Sequence, residues 1–154
     1  MNRYLTFLNN YLGNERSRDR LYTALDLFEY PELIDTVKHK SGIYIIMSPS
    51  QKFIYPLGAS PIIYIGTSND LHRRLKEHIK YYGIAVEHWK DHTRWIYGRY
   101  NYIISYGGKV YYMLTQGRET NKALESKALE GFYDRFGALP ITSFGLTTLR
   151  CVRI

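Results

Sequence analysis

Two tripeptides in this chain, Gly42-Ile43-Tyr44 and Tyr64-Ile65-Gly66, set a phenol near a glycine inside short β-branched and aromatic runs. Arg74 follows the second in a basic, helix-like stretch, and His78 comes one helical turn later. A carboxylate, Glu125, lies much further along. Strand-borne phenols, a glycine at a strand end and a guanidinium that matches phosphate oxygens together suggest a phosphate-handling site, and a carboxylate there could meet a cation. Neither tripeptide persuades alone. Tyrosine suits strands, and the chain has 16 of them, so a tyrosine pair by itself reads as packing.

Helical phase separates the charges that matter from those that do not. Over Asn69–Tyr81, Leu71, Leu75 and Ile79 form a buried stripe, and Arg73, Lys76, Glu77 and Lys80 fall on the solvated side. Arg74 and His78 lie on or beside the stripe and so face the strands. A buried guanidinium needs an anion; a snorkelling arginine or one paired with a carboxylate is the plainer reading. His78 alone reads equally as a satisfied core histidine. Over Thr120–Phe136 the stripe is Leu124, Ala128, Leu129, Phe132 and Phe136. Glu125 projects into it, whereas Glu130 and Asp134 point away, so phase selects Glu125 although Leu-Glu occurs twice. An inward glutamate needs a cation, either Arg74 in a structural pair or a divalent metal.

These residues need elements to carry them. Residues 1–38 read as a helical extension: Tyr4, Leu5, Leu8, Tyr11 and Leu12 recur at helical spacing up to Gly13. A second helix is expected over Arg16–Tyr30 and a short turn or helix over Glu32–Val37. Residues 39–154 read as the main domain. Strands are expected at Ile43–Met47, Phe53–Tyr55 and Ile62–Ile65, and a helix over Asn69–Tyr81 capped by Thr67 or Ser68. Tyr102–Ser105 and Val110–Leu114 flank Tyr106-Gly107-Gly108-Lys109, a hairpin signal. The helix Thr120–Phe136 stops at Gly137, and Thr147–Ile154 is compatible with a strand. Without regular βαβ alternation, the fold class is α+β: a small, mostly antiparallel sheet of about three main strands flanked by helices.

Size and charge narrow the function. The 154 residues suffice for one core. Lys and Arg outnumber Asp and Glu 21 to 14, which with many aromatics favours a polyanionic partner, nucleic acid first. The single cysteine, Cys151, excludes an internal disulfide and a Cys-rich zinc site. No secretory pattern and no apolar run of ~20 residues is present, so a cytoplasmic protein with no membrane span is expected. His88 and His92 share helical spacing but lack a third ligand, so their segment reads as a loop or short helix beside a substrate channel. Tyr97, Arg99, Tyr100 and Tyr102 interleave aromatics with a base, which suits either nucleic-acid contact or sheet packing.

Taken in order, Gly42-Ile43-Tyr44, Tyr64-Ile65-Gly66, Arg74, His78 and Glu125 resemble the GIY-YIG nuclease family over roughly residues 41–143. Both tripeptides are literal, the segment 69–78 is similar to the family's second motif, and Leu124-Glu125 through Pro140 looks like its metal-binding helix and exit. The gap between the tripeptides is longer than usual, with Ser48–Pro61 as an insertion, and Ser143 stands where many members have asparagine. The resemblance implies a divalent-metal-dependent DNA endonuclease. Glu125 would bind Mg²⁺ or Mn²⁺, Arg74 the scissile phosphate, Tyr44 would act as general base, Tyr64 would orient phosphate or water, and His78 would assist proton transfer or hold Tyr44. The alternatives are a nucleic-acid-binding module with weak or lost cleavage, and a protein-interaction domain with structural tyrosines. Specificity then falls to loops, the N-terminal helices, a homodimer or a partner protein.

Overall fold

A computed structural model describes residues 23–88 and 98–143 of the chain. Branched, continuously apolar residues form the central strand β2 (Gly42–Met47), in which every residue is buried. A strand covered on both faces has no need of alternation, which is why its sequence is an unbroken apolar run. Three more strands complete an antiparallel sheet: β1 (Thr23–Leu25), β5 (Ile62–Ser68) and β6 (Lys109–Leu114), in the order β1-β6-β2-β5. The insertion between the tripeptides folds into a separate two-stranded ribbon, β3 (Phe53–Tyr55) with β4 (Gly58–Ser60). Helices α1 (Leu71–Glu87), α2 (Gly98–Tyr106) and α3 (Arg118–Phe136) accompany the sheet, with a 3-10 helix at Pro31–Val37. The α+β expectation holds, with four strands in the main sheet rather than about three.

Helix ends follow local chemistry. The α1 N-cap is Asp70, whose side chain accepts from the Arg73 N–H at 3.0 Å; neither Thr67 nor Ser68 caps it. The Leu71 N–H donates to the Lys40 carbonyl at 2.9 Å, tying the start of α1 to the approach of β2. Gly137, at φ 75°, closes α3 in the left-handed conformation and donates to the Tyr133 carbonyl at 2.7 Å.

Three sequence expectations are corrected. The described part of Arg16–Tyr30 does not continue a helix: Thr23–Leu25 pairs with β6, whose open edge offers backbone partners that outweigh helical spacing. The run Tyr102–Ser105 belongs to helix α2, not to a hairpin strand. Gly107, at φ 76°, ends that helix by donating to the Ile103 carbonyl at 2.8 Å, so the Gly-Gly signal was a helix stop. Helix α1 also runs beyond Tyr81, to Glu87. The expected helix over Tyr4–Leu12 and strand over Thr147–Ile154 lie outside the described residues. No helix among the described residues is long and apolar enough to cross a membrane.

Gly42 opens β2 where β6 passes closest. A Cβ there would collide with the Met113 carbonyl oxygen, a backbone atom held in the ladder, and would meet Leu71 Cδ1 at 3.1 Å. Gly42→Ala is therefore expected to lower unfolding free energy by about 1–3 kcal/mol, read as an earlier urea midpoint. An unchanged midpoint shows that the strands can part without cost.

Candidate active site

Tyr44 pairs with Gly66 across β2 and β5, and Tyr64 lies two residues before that glycine, so the three share a face. A Cβ on Gly66 would sit 2.9 Å from both phenol oxygens and 2.6 Å from Tyr64 Cε1. The two hydroxyls thus converge over the space a side chain would fill. Tyr44 is fully buried, and its hydroxyl hydrogen-bonds His78 Nε2 at 2.8 Å. His78, also fully buried, turns Nδ1 to the Tyr100 hydroxyl at 3.0 Å. From α2, Arg99 lays its guanidinium carbon 3.6 Å over the Tyr64 ring centroid and donates through Nη2 to the Thr142 carbonyl at 3.0 Å.

Burial sets the protonation of this cluster. It pushes the Tyr44 phenol well above its ordinary value, with Tyr64 adding to the rise, while Arg74 and Arg99 pull the other way. It pushes His78 well below its ordinary value, and the charges of Arg74 and Arg99 act in the same direction. For Arg74, burial opposes the charge, but Tyr44, Glu77 and Tyr64 more than offset it and hold the guanidinium charged. At neutral pH the cluster is a neutral phenol bonded to a neutral imidazole beside a cation.

Arg74 is the link to open solvent. It lines a cleft of about 570 Å³ together with Arg73, Glu77, Thr67, Asn121 and Glu125. Its ion pair goes to Glu77, Nη1 to Oε2 at 2.8 Å, and Arg73 takes the other carboxylate oxygen. Glu77, expected on the solvated side, thus bridges two arginines at the helical spacing that favours such pairs. Glu125 does not pair with Arg74; its Oε2 accepts from Thr67 Oγ1 at 2.7 Å. Thr67 pairs with Ile43, so alternation turns it away from the face of the phenols. The structure therefore joins Arg74 and Glu125 in one cleft and sets the buried Tyr44 and His78, with the partly buried Tyr64, in a cluster beside Arg74. Among the described residues, the cleft lining includes neither phenol.

One contributor was not singled out from sequence, and others were read differently. Asn121, buried one turn before Glu125 on α3, donates to Ser41 Oγ and Asn69 Oδ1 at 2.8 Å each and is bonded by Thr115 Oγ1. It thereby ties the α3 start to the approach of β2, the β5–α1 turn and the end of β6. Tyr100, read as part of a surface or sheet motif, is buried behind His78. Ser143 is buried, and its Oγ has no hydrogen-bond partner among the described residues. His88 caps the end of α1; Trp89, His92 and Tyr97 lie outside the described residues. No group of three His, Cys, Asp or Glu poised for a metal occurs among the described residues.

Comparison with known proteins agrees with the geometry. Residues 40–106 match the family model described as the GIY-YIG catalytic domain. That span carries Tyr44, Tyr64, Arg74 and His78 and stops before α3, so Glu125 stands on the cleft and on helical phase. No curated protein and no solved structure matches the chain. A literal pair of strand tripeptides, an inward arginine and histidine on the following helix and the matching family model agree: residues 40–106 of the chain carry a GIY-YIG catalytic domain.

Proposed function

We propose that the chain is a divalent-metal-dependent DNA endonuclease whose reaction takes place at Arg74, between the two phenols and the cleft that holds Glu125. The observation that carries this reading is that Arg74 belongs to both compartments, lining the cleft while its charge acts on Tyr44 and Tyr64. A basic chain suits a polyanionic substrate, and a cytoplasmic setting belongs to the same reading. Sequence or structure specificity would come from loops, the N-terminal segment, a homodimer or a partner protein.

The donor set fits a hard cation. Hard ions such as Mg²⁺ or Mn²⁺ keep most of their waters and need only one or two carboxylates, and Glu125 offers one beside the Thr67 hydroxyl. Held there, the ion would supply Lewis-acid stabilisation of phosphoryl oxygens. The remaining work falls to the chain. Arg74 donates to the scissile phosphate and offsets charge growing on it. Tyr44 takes a proton from the attacking water while its own phenol proton passes to His78 Nε2, along the hydrogen bond already present. The resulting hydroxide bonds to phosphorus as the leaving oxygen departs and takes a proton from solvent. Tyr64, steadied by Arg99, orients the phosphate or the water. The complete burial of Tyr44 favours a second reading, a nucleic-acid-binding module in which cleavage is weak or lost.

A plasmid-nicking assay with Mg²⁺ or Mn²⁺ separates the two. Arg74→Ala and Glu125→Ala are each expected to lower nicking about 100-fold or more, while salt-sensitive DNA binding by Glu125→Ala persists. Equal cleavage by Glu125→Ala removes it from the site, and salt-sensitive binding without cleavage by the native chain supports the second reading.

Burial of neutral His78 also makes stability depend on pH. Its folded pKa lies below the unfolded value near ~6.5, so the unfolded state binds the extra proton first. Stability is fully present above that value and is lost as pH falls through it toward the depressed one, by up to about 1.4 kcal/mol per pH unit. Urea unfolding at descending pH is expected to show this slope in the native chain and a shallower one in His78→Gln. Equal slopes show that His78 does not control acid sensitivity.

A further inference from the structure

We propose that Tyr100 is a positioning residue for the cleavage reaction: its oxygen accepts from His78 Nδ1–H and so leaves Nε2 bare to take the Tyr44 proton. The assignment rests on the pairing of Tyr44 with His78 proposed above and extends it to helix α2. Sequence reading placed Tyr100 in a nucleic-acid or sheet-packing motif, but the structure puts it behind the imidazole, nearly wholly buried.

The argument is one of donors and acceptors. Tyr44 is fully buried, so its hydroxyl proton needs an acceptor. Arg74 and Arg99, the cations that act on it, can only donate. His78 Nε2, 2.8 Å away, accepts. A neutral imidazole has one acceptor nitrogen and one N–H, so an accepting Nε2 puts the proton on Nδ1. That N–H meets the Tyr100 oxygen at 3.0 Å. In the opposite tautomer Nε2–H donates to the Tyr44 oxygen, and the buried Tyr44 hydroxyl proton loses its acceptor.

Packing holds Tyr100 in place. Its ring stacks on Tyr81 with centroids 6.1 Å apart and planes 28° apart, and lies 6.0 Å from the His78 ring. The next residue back, Arg99, fastens the same helix to Tyr64 and Thr142. During the reaction, the phenol proton moves from Tyr44 to Nε2 as Tyr44 takes one from the water, and Nδ1–H stays hydrogen-bonded to Tyr100; once the phosphate product leaves, the imidazolium passes its proton back to Tyr44 as Tyr44 releases one to solvent. Tyr100 exchanges no proton; it selects which nitrogen is free, as a general base's orienting partner does.

The test is Tyr100→Phe in the full chain, which removes one oxygen and keeps the ring. Nitrogen-15 NMR of the His78 ring reads the tautomer directly, and thermal melting confirms that the variant is folded. The native ring is expected to carry its proton on Nδ1, and the variant ring, whose Nδ1–H has lost its partner, to share the proton between the two nitrogens. Turnover in plasmid nicking with Mg²⁺ is expected to fall roughly 10- to 100-fold, with KM changed less than about twofold. Tyr102→Phe, on the same helix but packed on Phe53, is expected to change neither tautomer nor turnover. A native ring protonated on Nε2, ring signals unmoved by Tyr100→Phe, or moved ring signals with unchanged turnover each overturn the proposal. If the native chain does not nick DNA, the endonuclease reading fails separately, while the ring signals still decide which nitrogen Tyr100 holds.

Discussion

The space left by a missing side chain at Gly66 governs the arrangement around it. Strand pairing sets that glycine opposite Tyr44, and both phenol oxygens occupy the volume a Cβ would need. Because the hydroxyls can move in over the backbone, Tyr44 reaches His78 without leaving the core. His78 in turn sits one turn beyond Arg74 on α1, so the helix that supplies the imidazole also supplies the cation. A larger residue at position 66 would push the phenols outward and break this chain of contacts at its first link.

The buried cluster holds its proton by opposing tendencies. Burial disfavours the phenolate and the imidazolium alike, so the proton stays on Tyr44 in the neutral pair. The two arginines favour the phenolate but disfavour the imidazolium. A proton transfer from Tyr44 to His78 therefore requires a change in the local field, such as an anion arriving beside Arg74. Charge at the cleft and proton position in the core are coupled through that one guanidinium.

Much of this was legible in the sequence, for reasons that differ by element. Strands β2 and β5 and helices α1 and α3 announce themselves because branched runs and a 3.6-residue apolar period leave few alternatives. Strand β1 was not legible: a three-residue edge strand carries no period, and it forms because β6 offers it a partner. Helix α2 was misread since aromatics favour strands and Gly107-Gly108 suits a hairpin as well as a helix end. That misreading hid Tyr100 and Arg99, which face inward only once the segment is helical. Helical phase directed Arg74, His78 and Glu125 inward, but it could not say that Glu77 would meet Arg74 or that Thr67 would meet Glu125. Those choices depend on side-chain rotamers and on which strand face each neighbour occupies.

The carboxylate of Glu77, gripping Arg73 and Arg74 together, makes occupancy of the cleft an exchange instead of an addition. An oxyanion that takes the Arg74 Nη1 donor displaces a rival tethered three residues away, whose effective concentration is fixed by the helix and cannot be diluted. A small free anion gains little from such a swap. A polymer that brings several phosphates at once recovers the lost contact elsewhere along the basic surface and prevails by numbers. On the proposed reading, the tethered carboxylate would set a threshold that favours multivalent anions over single ones.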